Sequence, residues 1–342
     1  MNQYQDYTYY QEYQTGTEPV VLPPKPPRAR LHVGVMAFAI TLGMLVTLIV
    51  QVIVNDVVTV LYPALAENDW YMWSFSTLPL YFVAMPLAYL LFLTVPKSVP
   101  TKKKYHPLMW LGFLFLCFFL TYVSSFLGQF VDAWIYNTLG IEVEDDLAQM
   151  TYITPFGINL LFVGILAPIF EELFYRKAVI DRLRRYGDLP AILISGLIFG
   201  LVHGNFSQVF YATAIGMLLG YIYLRTGNVL YTISLHAAFN IIGGVYTTEL
   251  VRRLGDSLTP AEGDTIGMVM VLAYNIFTIL AFVVGAIFLL FSIKRFCRSL
   301  QKGEYTLGFD KWMNAIFLNP GVWAFLGWIA IVFISSLLAS AA

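Results

Sequence analysis

The sequence predicts an all-α fold, a polytopic membrane bundle of about 8–9 transmembrane helices. Three observations carry that expectation. Of the 342 residues, 58% are hydrophobic and only 12% charged, about half the charge of a soluble domain. Mean hydropathy is +0.70. The apolar residues gather in runs of about 20, the length that crosses a bilayer as helix. The formal charge of -1 supplies no basic excess for nucleic acid, so that partner class is excluded. Two cysteines, Cys117 and Cys297, make no disulfide framework or Cys-rich metal site.

Residues 1–32 differ from the rest: Tyr4, Tyr7, Tyr9, Tyr10 and Tyr13 lie among Gln and Thr and precede Pro23, Pro24, Pro26 and Pro27. Too few aliphatic residues are present for a core, so this reads as a flexible cytoplasmic tail without the basic start of a signal peptide. Spans follow at 33–54, 71–95, 108–131, 152–178, 189–205, 208–225, 228–248, 266–292 and 319–339. They group as N-terminal helices (33–136), a central block (150–248) and C-terminal helices (266–342). Pro320 interrupts the start of the last span, and the stretch from Trp312 to Pro320 also suits an interfacial position.

Charge tests these spans independently, because inner loops of membrane proteins collect Lys and Arg. With the N-terminus cytoplasmic, only Arg252 and Arg253 of the 20 basic residues fall outside. The outer loops instead collect Glu142, Glu144, Asp145, Asp146, Asp256, Glu262 and Asp264.

Ionisable groups at membrane depth cost ~2.5–3.5 kcal/mol or more, so those present usually face a cavity. Here they are Glu171 and Glu172 on the fourth span, with Arg176 one turn on, His203 on the fifth and His236 on the seventh. Pro168 lacks a backbone donor and crowds the carbonyl of Gly164, so a kink is expected before the glutamates. Glu172 and Arg176 are four apart and share a helical face, which predicts that one carboxylate is neutralised and the other left free. A salt-bridge cluster with Lys177 is the structural alternative. Gly196, Gly200 and Gly204 form a small-residue stripe beside His203, and Gly216 and Gly220 form another. Packing suffices to explain them, and His203 on its own fits a packed histidine. Phe199, one turn before it, reads as core. His236 and Asn240 share a stripe that suits either oxyanion stabilisation or interhelical hydrogen bonding. At ~1.5 Å rise per residue, Glu171, His236, Asn240 and His203 lie roughly 10, 12, 18 and 20 Å from the inner end.

Glu171-Glu172-x-x-x-Arg176, Phe199-x-x-x-His203 and His236-x-x-x-Asn240, in order on separate spans, resemble the three motifs of the CPBP intramembrane proteases. That family includes type II CAAX prenyl endopeptidases and bacteriocin-processing and self-immunity proteins. The resemblance covers about residues 150–248 and implies an intramembrane endopeptidase of a bacterial plasma membrane, acting on a membrane-associated peptide or protein. It implies Glu171 as the base that activates water, His203 as its partner, and His236 and Asn240 as holders of the carbonyl oxygen. Glu172 and Arg176 match the supporting pair. No cofactor is expected. Glu171, His203 and His236 also make a ligand set that zinc hydrolases use, but a metal-free mechanism is the reading preferred. The alternatives are a non-catalytic immunity or scaffold protein and a proton-coupled transporter. No second block of polar residues pairs with the first, which weighs against transport.

Overall fold

A computed structural model describes residues 28–341 except 105, 144–145, 256–258, 262 and 306, together with all of Asp146 but its side chain. The tail up to Pro27, and Glu144, Asp145, Asp256 and Glu262, lie outside the described residues. Among those described, every regular element is helical. The long helices are α1 (Ala29–Leu61), α2 (Asp69–Phe92), α3 (Pro107–Leu139) and α4 (Phe156–Tyr186). A shorter α5 (Asp188–Leu201) leads to α6 (Phe206–Thr226), α7 (Val229–Leu254) and α8 (Thr265–Ser299). The amphipathic α9 (Phe309–Phe317) and the apolar α10 (Pro320–Ala341) complete the chain.

Eight of these helices are long and apolar enough to cross a membrane, and α5, with 14 residues, falls short of the usual crossing length. The expected span 189–205 ends early because the chain turns at Val202–Gly204, where Gly204 takes φ of 75°. A left-handed residue of this kind closes a helix. Gly204 is therefore a terminator and not a third member of the glycine stripe. At the other boundary, helix α1 starts at Ala29, so residues 29–32 belong to it and not to the tail. His32 is anchored there by the Tyr186 hydroxyl, 2.6 Å from Nδ1.

The loops sort to two ends. At one, Lys103 N–H donates to Thr226 O (2.8 Å), Ser98 N–H to Asp181 O (2.6 Å), Asp188 N–H to Gln301 O (3.0 Å) and Asn319 Nδ2 to Arg30 O (2.7 Å). At the opposite end, Ser207 donates to Asp132 (2.9 Å), Arg252 to Thr154 O (2.6 Å), and Arg253 pairs with Asp264 (2.6 Å). Successive helices from α1 to α8, the short α5 included, thus alternate in direction.

Around Pro168, where the sequence expects a kink, the helix departs from regular α geometry. Helix α4 is continuous, but Leu160–Leu166 and Glu172–Ile180 are π-helical around the α-helical turn Ala167–Glu171. Widening the turn accommodates the missing donor and the crowded carbonyl without a break. Helix α7 carries a matching π-helical stretch, Ile241–Tyr246, directly after Asn240.

The glycines of α5 and α6 set the separation of those helices. A Cβ on Gly200 would lie 2.5 Å from Val209 O and 2.9 Å from Thr213 N, and one on Gly216 would lie 3.0 Å from the Cα of Gly196. The two backbones touch at these points, as a small-residue stripe requires.

Candidate active site

Helices α4, α5 and α7 build the site. From α4, Glu172 and Arg176 form a two-pronged pair: Nε donates to Oε2 at 2.9 Å and Nη2 to Oε1 at 3.0 Å. Both side chains are wholly buried. The Arg176 Nη1 donates to Ser195 Oγ (3.3 Å), whose hydroxyl donates to Tyr175 O (3.0 Å). A buried charge pair survives in such surroundings when its remaining hydrogen-bonding groups are satisfied, and Ser195 supplies one of those partners. Lys177, one residue on, is exposed and stands apart from this pair.

From α7, His236 touches both glutamates. Its Nδ1 lies 3.1 Å from Glu172 Oε1 and its Nε2 lies 3.8 Å from Glu171 Oε2. An oxygen already ion-paired to Arg176 can only accept, so His236 donates from Nδ1 and turns Nε2 toward Glu171. The Glu171 side chain keeps 18% of its surface open, whereas that of Glu172 keeps none. Two adjacent carboxylates thus have different surroundings: one is locked by arginine, the other is partly accessible and lies beside an imidazole.

In the turn just beyond α5, and not within a span as the sequence expects, His203 donates from Nδ1 to the carbonyl of Phe199 at 2.7 Å, because a carbonyl only accepts. The Phe199 ring meets the His203 ring edge-on (centroids 4.9 Å apart) and the His236 ring likewise (5.7 Å), and the Arg176 guanidinium lies 5.1 Å from its centroid. Phe199 therefore joins the two histidines and the arginine. One turn beyond His236, Asn240 donates from Nδ2 to Val163 O (2.9 Å), tying α7 to the π-helical part of α4. One N–H of that amide is spent on the tie.

The structure brings Glu171, Glu172, Arg176 and His236 into direct contact, with His203 attached through Phe199. Ser195 was not singled out from the sequence, although its place four residues before Phe199 and eight before His203 was a usable signal. Tyr81 of α2 was also missed. Its ring stacks flat on Phe170, next to Glu171, with centroids 4.7 Å apart. No local spacing connects those two helices.

The description "Type II CAAX prenyl endopeptidase Rce1-like" matches residues 154–242, which hold every one of the motif residues. The resemblance to the CPBP family holds over this segment. The chain is also similar to a Bacillus subtilis protein described as "Putative membrane peptidase YdiL". Identity to it is 27% over 136 residues, covering 40% of this chain and 55% of the relative. The chain thus matches about half the length of that relative. No solved structure matches.

Proposed function

We propose that the protein is an intramembrane endopeptidase of the CPBP type, with its N-terminal end cytoplasmic, that hydrolyses a membrane-associated peptide or protein. The observation that carries the reading is the unequal pair: Glu172 is closed off by Arg176, while Glu171 keeps 18% of its side chain accessible, 3.8 Å from His236 Nε2. A carboxylate in that position can take a proton from water as the oxygen attacks the scissile carbonyl. Glu171 then passes that proton to the departing amine as the C–N bond breaks. The second N–H of Asn240 and the Nε2 side of His236 are the groups to receive the developing oxyanion. His203, with Nδ1 fixed by Phe199 O, is the residue we assign as the partner of Glu171, as the family resemblance implies. Glu172 and Arg176 hold His236 in orientation and take no proton themselves.

The reaction is proposed to need no metal. Among the described residues no group of three His, Cys, Asp or Glu side chains is placed to hold one.

The test is trapping of substrate in the native membrane with Glu171→Gln, followed by cleavage of the captured protein in liposomes by the wild type with and without chelator. Wild-type cleavage that Glu171→Gln and His203→Ala abolish, and chelator leaves intact, is expected. Cleavage that survives both substitutions overturns the assignment. Loss in chelator with recovery on adding zinc overturns the metal-free step alone.

A further inference from the structure

We propose that the corner between the starts of α1 and α10 is a binding site for the phosphate headgroup of an anionic phospholipid, distinct from the hydrolytic site. A cavity of about 470 Å³ lies there, lined by Arg28, Arg30, Leu31, Gly34, Val35 and Asn319 together with Pro320. Helices α1 and α10 come together closely below it, where Gly321 packs against the backbone of Gly34. The Asn319 amide joins the two helices by donating to Arg30 O.

Charge at this corner is unbalanced. Among the described residues Asp188 pairs with Arg184 and Arg225, Glu304 pairs with Arg185, and Asp310 on α9 forms no ion pair with either arginine of the corner. Among the described residues neither Arg28 nor Arg30 has a carboxylate partner. Arg30 reaches Leu318 O with Nη2, which fixes its guanidinium at the rim. Two guanidiniums without counter-charge suit a phosphate, which accepts several N–H donors at once.

Depth decides between a lipid and a soluble anion. Helix α9 runs directly into this corner and leaves Phe309 79% and Phe317 52% exposed. Aromatic side chains so placed on a short amphipathic helix lie at the boundary between headgroups and acyl chains. Trp323, exposed on the first turn of α10 with Nε1 donating to Phe317 O, marks the same level. Below the arginines the lining turns apolar through Leu31 and Val35 and continues along α1 to the exposed Phe38. Arginine at headgroup height above an apolar helix face is matched by one molecule carrying both parts, a phospholipid with its phosphate at the rim and an acyl chain along α1.

The full chain, delipidated in neutral detergent, is titrated with phosphatidylglycerol, with phosphatidylcholine of the same acyl chains, and with inorganic phosphate, following thermal stability and Trp fluorescence. Tighter binding of phosphatidylglycerol than phosphatidylcholine is expected, with no competition from millimolar phosphate. Arg28→Gln lowers the affinity for phosphatidylglycerol about fivefold, and Arg28→Gln with Arg30→Gln lowers it roughly 25-fold, at about one such factor per cation. Arg28→Gln also guards against misfolding, since Arg28 makes no side-chain capping bond to α1. Equal affinity for the two lipids, unchanged affinity in both variants, or displacement of the lipid by inorganic phosphate would overturn the proposal.

Discussion

Replacing Arg176 by Met leaves the Glu172 carboxylate in a fully closed site without the two donors it receives at 2.9 and 3.0 Å. It also removes the donor that Ser195 accepts. Removing one member of a buried ion pair costs about 3–5 kcal/mol, because the remaining charge keeps its desolvation penalty and loses its partner. Replacing both members by apolar residues of similar volume is far less damaging. Arg176→Met should therefore destabilise the protein by about 3–5 kcal/mol, and Glu172→Leu added to it should restore most of that loss. The remainder, about 1–3 kcal/mol, is the His236 Nδ1 donor left without its acceptor. Equilibrium unfolding in mixed micelles, read by tryptophan fluorescence on wild type, both single variants and the double variant, gives the coupling energy. A coupling below about 0.5 kcal/mol would refute the reasoning, as would a double variant less stable than Arg176→Met.

Three further outcomes follow. Gly200→Ala places a methyl against the α6 backbone and should cost about 1–3 kcal/mol in the same unfolding assay. Gly327→Ala, with nothing within 4 Å, should be neutral or gain about 0.5–1 kcal/mol. Beyond the spans, hydrogen bonds from Arg253 and from the backbone of Gly267 hold the Asp264 carboxyl down at about 2. A lowered acid contributes stability above its unfolded value and loses it as pH falls through the folded one. Carboxyl NMR should therefore find Asp264 ionised at pH 3, with its titration near pH 2; a midpoint near pH 4 contradicts this contact.

Much of this was legible in the sequence because it rests on local spacing. Four residues separate Glu172 from Arg176 and Gly196 from Gly200, and a helix turns such spacing directly into a shared face. Loop charge likewise fixes which helix ends lie together. The rest depended on tertiary geometry. Nothing local foretells that Pro168 is absorbed by π-helical turns, or that α5 stops at Leu201 because Gly204 turns the chain. Phe199 reads as an ordinary core residue until three helices place an arginine and two histidines around its ring.

The account centres on the division of labour between adjacent carboxylates, and comparing Glu171→Gln with Glu172→Gln measures it most directly. Both variants are to be assayed for cleavage in liposomes and for unfolding midpoint. The account predicts that Glu171→Gln lowers the cleavage rate by about 10²–10⁴, the usual share of a general base, at unchanged stability. It predicts that Glu172→Gln loses stability first. Full cleavage by Glu171→Gln, or equal loss of stability in both variants, would contradict it.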